Sequence, residues 1–93
     1  MTAERLLLAE DDPALAGMVP DYLAGAGYSV TVADTGAGGL ALAEREPFGA
    51  VVLDVMLPDT DGFEVCRQLR HLSDVPVLGT WGHGTWGQAC IFA

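Results

Sequence analysis

The sequence predicts a doubly wound α/β domain built on a parallel sheet, and three observations carry that prediction. Two short apolar runs, Arg5–Ala9 (RLLLA) and Ala50–Leu53 (AVVL), are continuous rather than alternating, as in strands buried on both faces. Both runs stop abruptly at carboxylates, Glu10, Asp11 and Asp12 after the first and Asp54 after the second. Segments with helical periodicity lie between the apolar runs, so the order reads β-α-β-α-β-α-β, which calls for right-handed crossovers in one sheet.

Each element has its own justification. The first strand is the RLLLA run. Asp12 followed by Pro13 is an N-cap with proline at the first helical position. Leu15, Met18, Val19, Tyr22 and Leu23 then share one helical face, and Gly25 and Gly27 end the helix. Pro20 inside this helix removes a hydrogen bond, at about 3 kcal/mol. Ser29–Ala33 (SVTVA) is β-branched and alternating, as suits a strand nearer an edge. Gly36–Glu44 is a weaker helix, because Gly38 and Gly39 together cost roughly 2 kcal/mol relative to alanine. Ala50–Leu53 is the third strand. Phe63–Leu72 is the strongest helix, with Val65, Leu69 and Leu72 on one stripe, Phe63 and Cys66 beside it, and Arg67, Arg70 and His71 favouring its C-terminal dipole. Val75–Leu78 is a short fourth strand interrupted by Pro76. From Val75 to Ala93 there is no charged residue, and Gly79–Gly87 (GTWGHGTWG) carries a GTWG element twice. A fifth strand is left open, with Gln88–Ala93 as a candidate. The sequence therefore divides into residues 1–78, a folded unit, and 79–93, a Gly/Trp-rich tail.

Composition sets the outer bounds. Ninety-three residues allow one small domain, and 51% hydrophobic with 18% charged residues is not the make-up of a disordered acidic tail. Four Lys and Arg residues against thirteen Asp and Glu give a net charge of −9, which argues against nucleic-acid or anionic-membrane surfaces. No apolar run approaches the 18 or so residues of a membrane span. Cys66 and Cys90 show no metal-binding spacing and are expected as reduced thiols in a cytoplasmic protein.

In an open parallel sheet, chemistry collects at the carboxyl ends of the strands where the strand order reverses. A flavodoxin-like order, 2-1-3-4, makes the first and third strands neighbours and brings Glu10, Asp11 and Asp12 close to Asp54. Clustered carboxylates repel one another unless a cation or a trapped proton intervenes. A hard, oxygen-liganded Mg²⁺ is the natural solution, since it takes one or two carboxylates together with phosphate oxygens. Asp12 is sufficiently explained as a helix cap. Asp54, at the end of a buried strand, calls for a partner. The Asp59-x-Asp61-Gly62 stretch is no calcium loop, because its first and twelfth positions would be Leu57 and Gln68.

Three separated motifs, LLLAEDDPAL, VVLDVMLPDTDGFEVCRQLR and DVPVL, occur in an order and spacing that resembles the receiver domain of bacterial two-component response regulators, over about residues 4–78. The resemblance implies that Asp54 is the phosphoacceptor. It also implies that Glu10, Asp11, Asp54 and the backbone carbonyl of Met56 hold Mg²⁺, with Glu10 acting mostly through water. The implied donor is a sensor histidine kinase or a small acyl phosphate, and the helix from Pro13 to Gly25 would face the kinase. Such a module autocatalyses its own phosphorylation and is not an enzyme acting on other substrates.

The sequence also departs from the family pattern. The family's switch hydroxyl falls at Trp81, with Thr80 one residue early, which makes Thr80 a doubtful candidate for that role. The family's phosphate-binding lysine has no counterpart, because the chain contains no lysine. The usual region from the fourth to the fifth helix is also absent, as after a truncation or frameshift near residue 78. One sheet face then has only the first helix to cover it, which favours self-association through that face. The second functional expectation is accordingly a switch-defective, non-signalling receiver fragment that only binds Mg²⁺ or a kinase. Neither nucleic-acid nor membrane binding is expected of this chain.

Overall fold

Short apolar strands with helices between them build the architecture. The computed structural model describes residues 4–54, 57–60, 62–80 and 86–87. In chain order the elements are β1 (Glu4–Ala9), α1 (Pro13–Gly25), β2 (Tyr28–Ala33), α2 (Gly36–Arg45), β3 (Ala50–Asp54), α3 (Gly62–Leu72), β4 (Val77–Thr80) and β5 (Trp86–Gly87). They form one sheet of order β2-β1-β3-β4-β5. The first four strands are parallel, with Ala9 opposite both Ala33 and Leu53, and Asp54 opposite Thr80. The expected 2-1-3-4 order is therefore present.

β5 runs antiparallel to β4, with Thr80 opposite Trp86. Only five residues separate the two strands, whereas a parallel return needs a crossover of about a dozen or more. The other candidate for a fifth strand, Gln88–Ala93, lies outside the described residues. β4 also starts two residues later than expected, just past Pro76, which has no N–H to give to a ladder.

One face of the sheet is well packed. Leu7, Ala9, Val51, Leu53 and Val77 project from it, and α3 meets them with Val65, Cys66 and Leu69. α2 packs beside α3 and the loop after β3, where a Cβ on Gly36 would collide with the Thr60 and Val65 side chains. Cys66 is buried in this packing, 1% exposed, and Cys90 lies outside the described residues.

Among the described residues the opposite face is only partly covered, although Leu8 is buried there. α1 has the expected bounds and cap, runs on through Pro20, and ends where the positive φ of Gly27, 94°, turns the chain into β2. Of its apolar face, Leu15, Met18 and Tyr22 are exposed and Val19 and Leu23 half-buried, and no residue of α1 is fully buried. An apolar groove of about 870 Å³ separates part of α1 from the sheet, lined by Leu6, Val52 and Leu78 on one side and by Met18, Tyr22 and Leu23 on the other. Among the described residues no helix is long and apolar enough to cross a membrane.

Candidate functional site

The strand ends hold the acidic residues that the sequence singled out. β1 and β3 are neighbours, and their last register partners are Ala9 and Leu53. The next residue on each strand is a carboxylate, Glu10 on one and Asp54 on the other, on chains about 4.8 Å apart. A backbone hydrogen bond from the Glu10 N–H to the Ala33 carbonyl, 2.9 Å, ties this end of β1 to β2 as well.

Glu10, Asp11 and Asp12 have three different environments. Glu10 is 7% exposed, and its Oε2 accepts the Asp12 N–H at 3.1 Å. Asp12 is the N-cap of α1, accepting the Ala14 N–H on Oδ1 at 2.9 Å. Its carboxylate is thus engaged in starting the helix, as the Asp-Pro pair suggested. Asp11, between them, is exposed. Asp54 is described by its backbone, opposite Thr80 in the register of β3 and β4. Met56, the expected carbonyl ligand, lies outside the described residues, as does Trp81. Among the described residues no three His, Cys, Asp or Glu side chains gather into a metal-binding group. The donor types at these strand ends, two carboxylates after β1 and one at the end of β3, are the hard oxygen ligands that suit Mg²⁺.

The loop after β3 contributes a residue that sequence reading passed over. A hydrogen bond from the Leu57 N–H to the Thr60 carbonyl, 3.1 Å, closes a turn. The turn presents Asp59 to the start of α2, where its two carboxylate oxygens accept the Gly36 and Ala37 N–H groups at 2.8 and 2.9 Å. Thr35 accepts the Gly38 N–H at 2.9 Å. The N-terminal N–H groups of a glycine-rich helix are thus satisfied partly by its own cap and partly by a loop 23 residues away in sequence. No spacing rule links positions 59 and 36, so the signal was absent from the sequence.

The Ala37 and Gly36 N–H groups hold the Asp59 carboxyl below the usual carboxylate range. A carboxyl lowered by folding contributes stability that is present above its unfolded pKa and is lost as pH falls through the folded one. The Asp59→Asn variant is therefore expected to melt lower near neutral pH and to lose less of its stability on acidification than the parent. Thermal melts followed by circular dichroism between neutral and acid pH measure this. Parallel pH profiles for the two proteins would remove Asp59 from the account.

Comparison with known proteins agrees with this arrangement. The family model described as the response regulator receiver domain matches residues 6–88, ten residues past the limit set by the sequence motifs. The chain is 39% identical over 74 residues to the transcriptional regulatory protein BaeR of Escherichia coli, covering 80% of this chain and 31% of that protein. It is 44% identical over 77 residues to the DNA-binding dual master transcriptional regulator RpaA of Synechocystis, covering 80% and 32%. The chain thus spans about a third of the length of these curated relatives. Among solved structures, the chemotaxis response regulator CheY4 of Vibrio cholerae superposes with a TM-score of 0.82 at 32% identity, over 85% of this chain and 68% of that one. The receiver domain of a sensor histidine kinase from Pseudomonas aeruginosa, described with a magnesium ion coordinated in its active-site cleft, gives 0.82 at 29% identity over 86% and 68%. With a family match over most of its length and the same strand order, the chain belongs to the response regulator receiver domain family.

Proposed function

We propose that the chain is a phosphoacceptor module of a two-component phosphorelay in which Asp54 takes the phosphoryl group. The observation that carries this reading is the juxtaposition of Glu10 and Asp54, one residue past the paired ends of two adjacent parallel strands. Asp11, Asp54 and the Met56 carbonyl would hold Mg²⁺ directly, and Glu10 would hold it mostly through water. The cation would neutralise charge between these carboxylates and the equatorial oxygens of the incoming phosphoryl group.

The chain's own residues do the rest. A carboxylate oxygen of Asp54 attacks phosphorus in line, a new P–O bond forms, and the bond to the donor breaks with its electron pair leaving on the donor. The product is an aspartyl phosphate, and the donor is a sensor histidine kinase's phosphohistidine or a small acyl phosphate. Glu10, buried and hydrogen-bonded to the Asp12 backbone, positions the acidic end of β1. Asp59 anchors the turn over residues 57–60 to the start of α2. Thr80, the register partner of Asp54, is the switch-hydroxyl candidate on β4. Because the chain has no lysine, it lacks one cation that the family pattern supplies to the phosphoryl group, and phosphorylation is expected to be slow.

Intact-mass spectrometry after incubation with a small acyl phosphate and Mg²⁺ tests the reading. The expected result is a mass gain of one phosphoryl group in the parent and none in Asp54→Asn. An adduct that persists in Asp54→Asn, or no adduct in a folded parent, overturns it.

A further inference from the structure

We propose that a second copy of this chain docks on the open sheet face, with α1 of each molecule lying in the groove of the other. Two surfaces of the molecule demand cover, and each matches the other. The first is α1 itself. Asp21 is the single charged residue among its thirteen, so it is apolar on nearly every side, yet none of its residues is buried. A helix of that composition is normally enclosed. Its surroundings are open: a Cβ built on Gly17 or Gly25 would meet nothing within 4 Å. The second surface is the groove, whose walls are aliphatic and aromatic with Glu4 as their one charged residue. Parallel sheets are ordinarily covered on both faces, and among the described residues the second face is covered only in part, with Leu8 buried and Leu78 exposed on it.

The area is on the scale that association needs. Leu15 is 40% exposed, Met18 60%, Tyr22 79%, Tyr28 39% and Leu78 36%. At roughly 200 Å² for a fully exposed side chain of this size, these five present on the order of 500 Å² per copy. Each partner in a standard stable interface gives about 800 Å², so these five, four of which line the groove, supply more than half of it.

Charge then selects the occupant. A cationic helix would find only Glu4 in the groove, whereas α1 brings an almost uncharged stripe. The exchange is also self-complementary. Each copy supplies one helix and one groove, so a two-fold arrangement uses up both and closes as a dimer.

Charge also gives the proposal a signature. Two copies of net charge −9 repel, and salt shortens the reach of that repulsion from about 10 Å at 0.1 M to about 3 Å at 1 M. Association should therefore tighten as salt is added, opposite to the behaviour of a charge-driven complex. Sedimentation equilibrium of the full chain, without Mg²⁺ or phosphodonor, is the test. The absence of both keeps the result independent of the role proposed for Asp54. We expect a monomer–dimer equilibrium that strengthens between low and high salt. Tyr22→Glu and Met18→Glu, each at an exposed position, should weaken it at least about tenfold, or roughly 1.4 kcal/mol, with unchanged circular dichroism. A chain that stays monomeric, a dimer indifferent to both substitutions, assemblies larger than two, or association that weakens with salt overturns the proposal. So does a monomer whose groove instead takes up a cationic amphipathic peptide.

Discussion

Replacing Asp11 with asparagine is expected to weaken Mg²⁺ binding by on the order of a hundredfold, close to 2.7 kcal/mol, while leaving the melting curve nearly unchanged. The expectation follows from the unequal duties of the three acids after β1. Asp12 caps α1, and Glu10 is buried with its Oε2 on the Asp12 N–H, so substitution at either disturbs the fold as well as the site. Asp11 is exposed and has neither duty. On the proposed site, the substitution removes the negative charge of a direct ligand without opening a cavity. Isothermal titration of Mg²⁺ at about 0.15 M salt checks this, because diffuse attraction to the −9 surface is largely screened beyond about 8 Å under those conditions. Phosphorylation of Asp54 at subsaturating Mg²⁺ should fall in the same proportion and recover as Mg²⁺ is raised. Unchanged affinity in Asp11→Asn would move the cation away from the end of β1.

What the sequence revealed and what it concealed divide along physical lines. The cap and both ends of α1 were legible because Asp12-Pro13 and the closing glycines act within a few residues of themselves. The acidic ends of β1 and β3 were legible because a buried apolar run that stops at a carboxylate has few structural reasons to do so. The parallel, doubly wound sheet followed from the alternation of elements, since parallel neighbours need crossovers. Three features depended on long-range placement and were hidden. The direction of β5 was set by a five-residue connection rather than by its composition. The tie from Asp59 to Gly36 and Ala37 joins segments with no common pattern. The exposure of α1 ran against its own periodicity: Leu15, Met18 and Tyr22 mark a face that wants burial, but burial also requires something on the other side. The register that sets Asp54 opposite Thr80 is long-range information of the same kind.

The two faces of the sheet should answer the same mutation differently, and Leu7→Ala is expected to be the most damaging of these changes. Leu7 lies in β1 between β2 and β3, is 1% exposed, and belongs to the cluster with Val51, Leu53, Val65 and Leu69. Truncation there removes buried methyl groups and leaves a void among packed neighbours, at about 3 kcal/mol or more. A domain of this size has roughly 5–14 kcal/mol of stability in total, so the loss takes a large share of it. The melting temperature should drop by on the order of 15 °C. Leu15→Ala, the same change on exposed α1, should cost less than about 1 kcal/mol when measured at low micromolar protein. Helix propensity favours alanine over leucine only slightly, so the contrast reports packing and not backbone preference. Paired denaturant titrations of the two variants decide the matter. Comparable losses would mean that α1 is held against the sheet as tightly as α3 is, and the groove on which the dimer depends would be closed in solution.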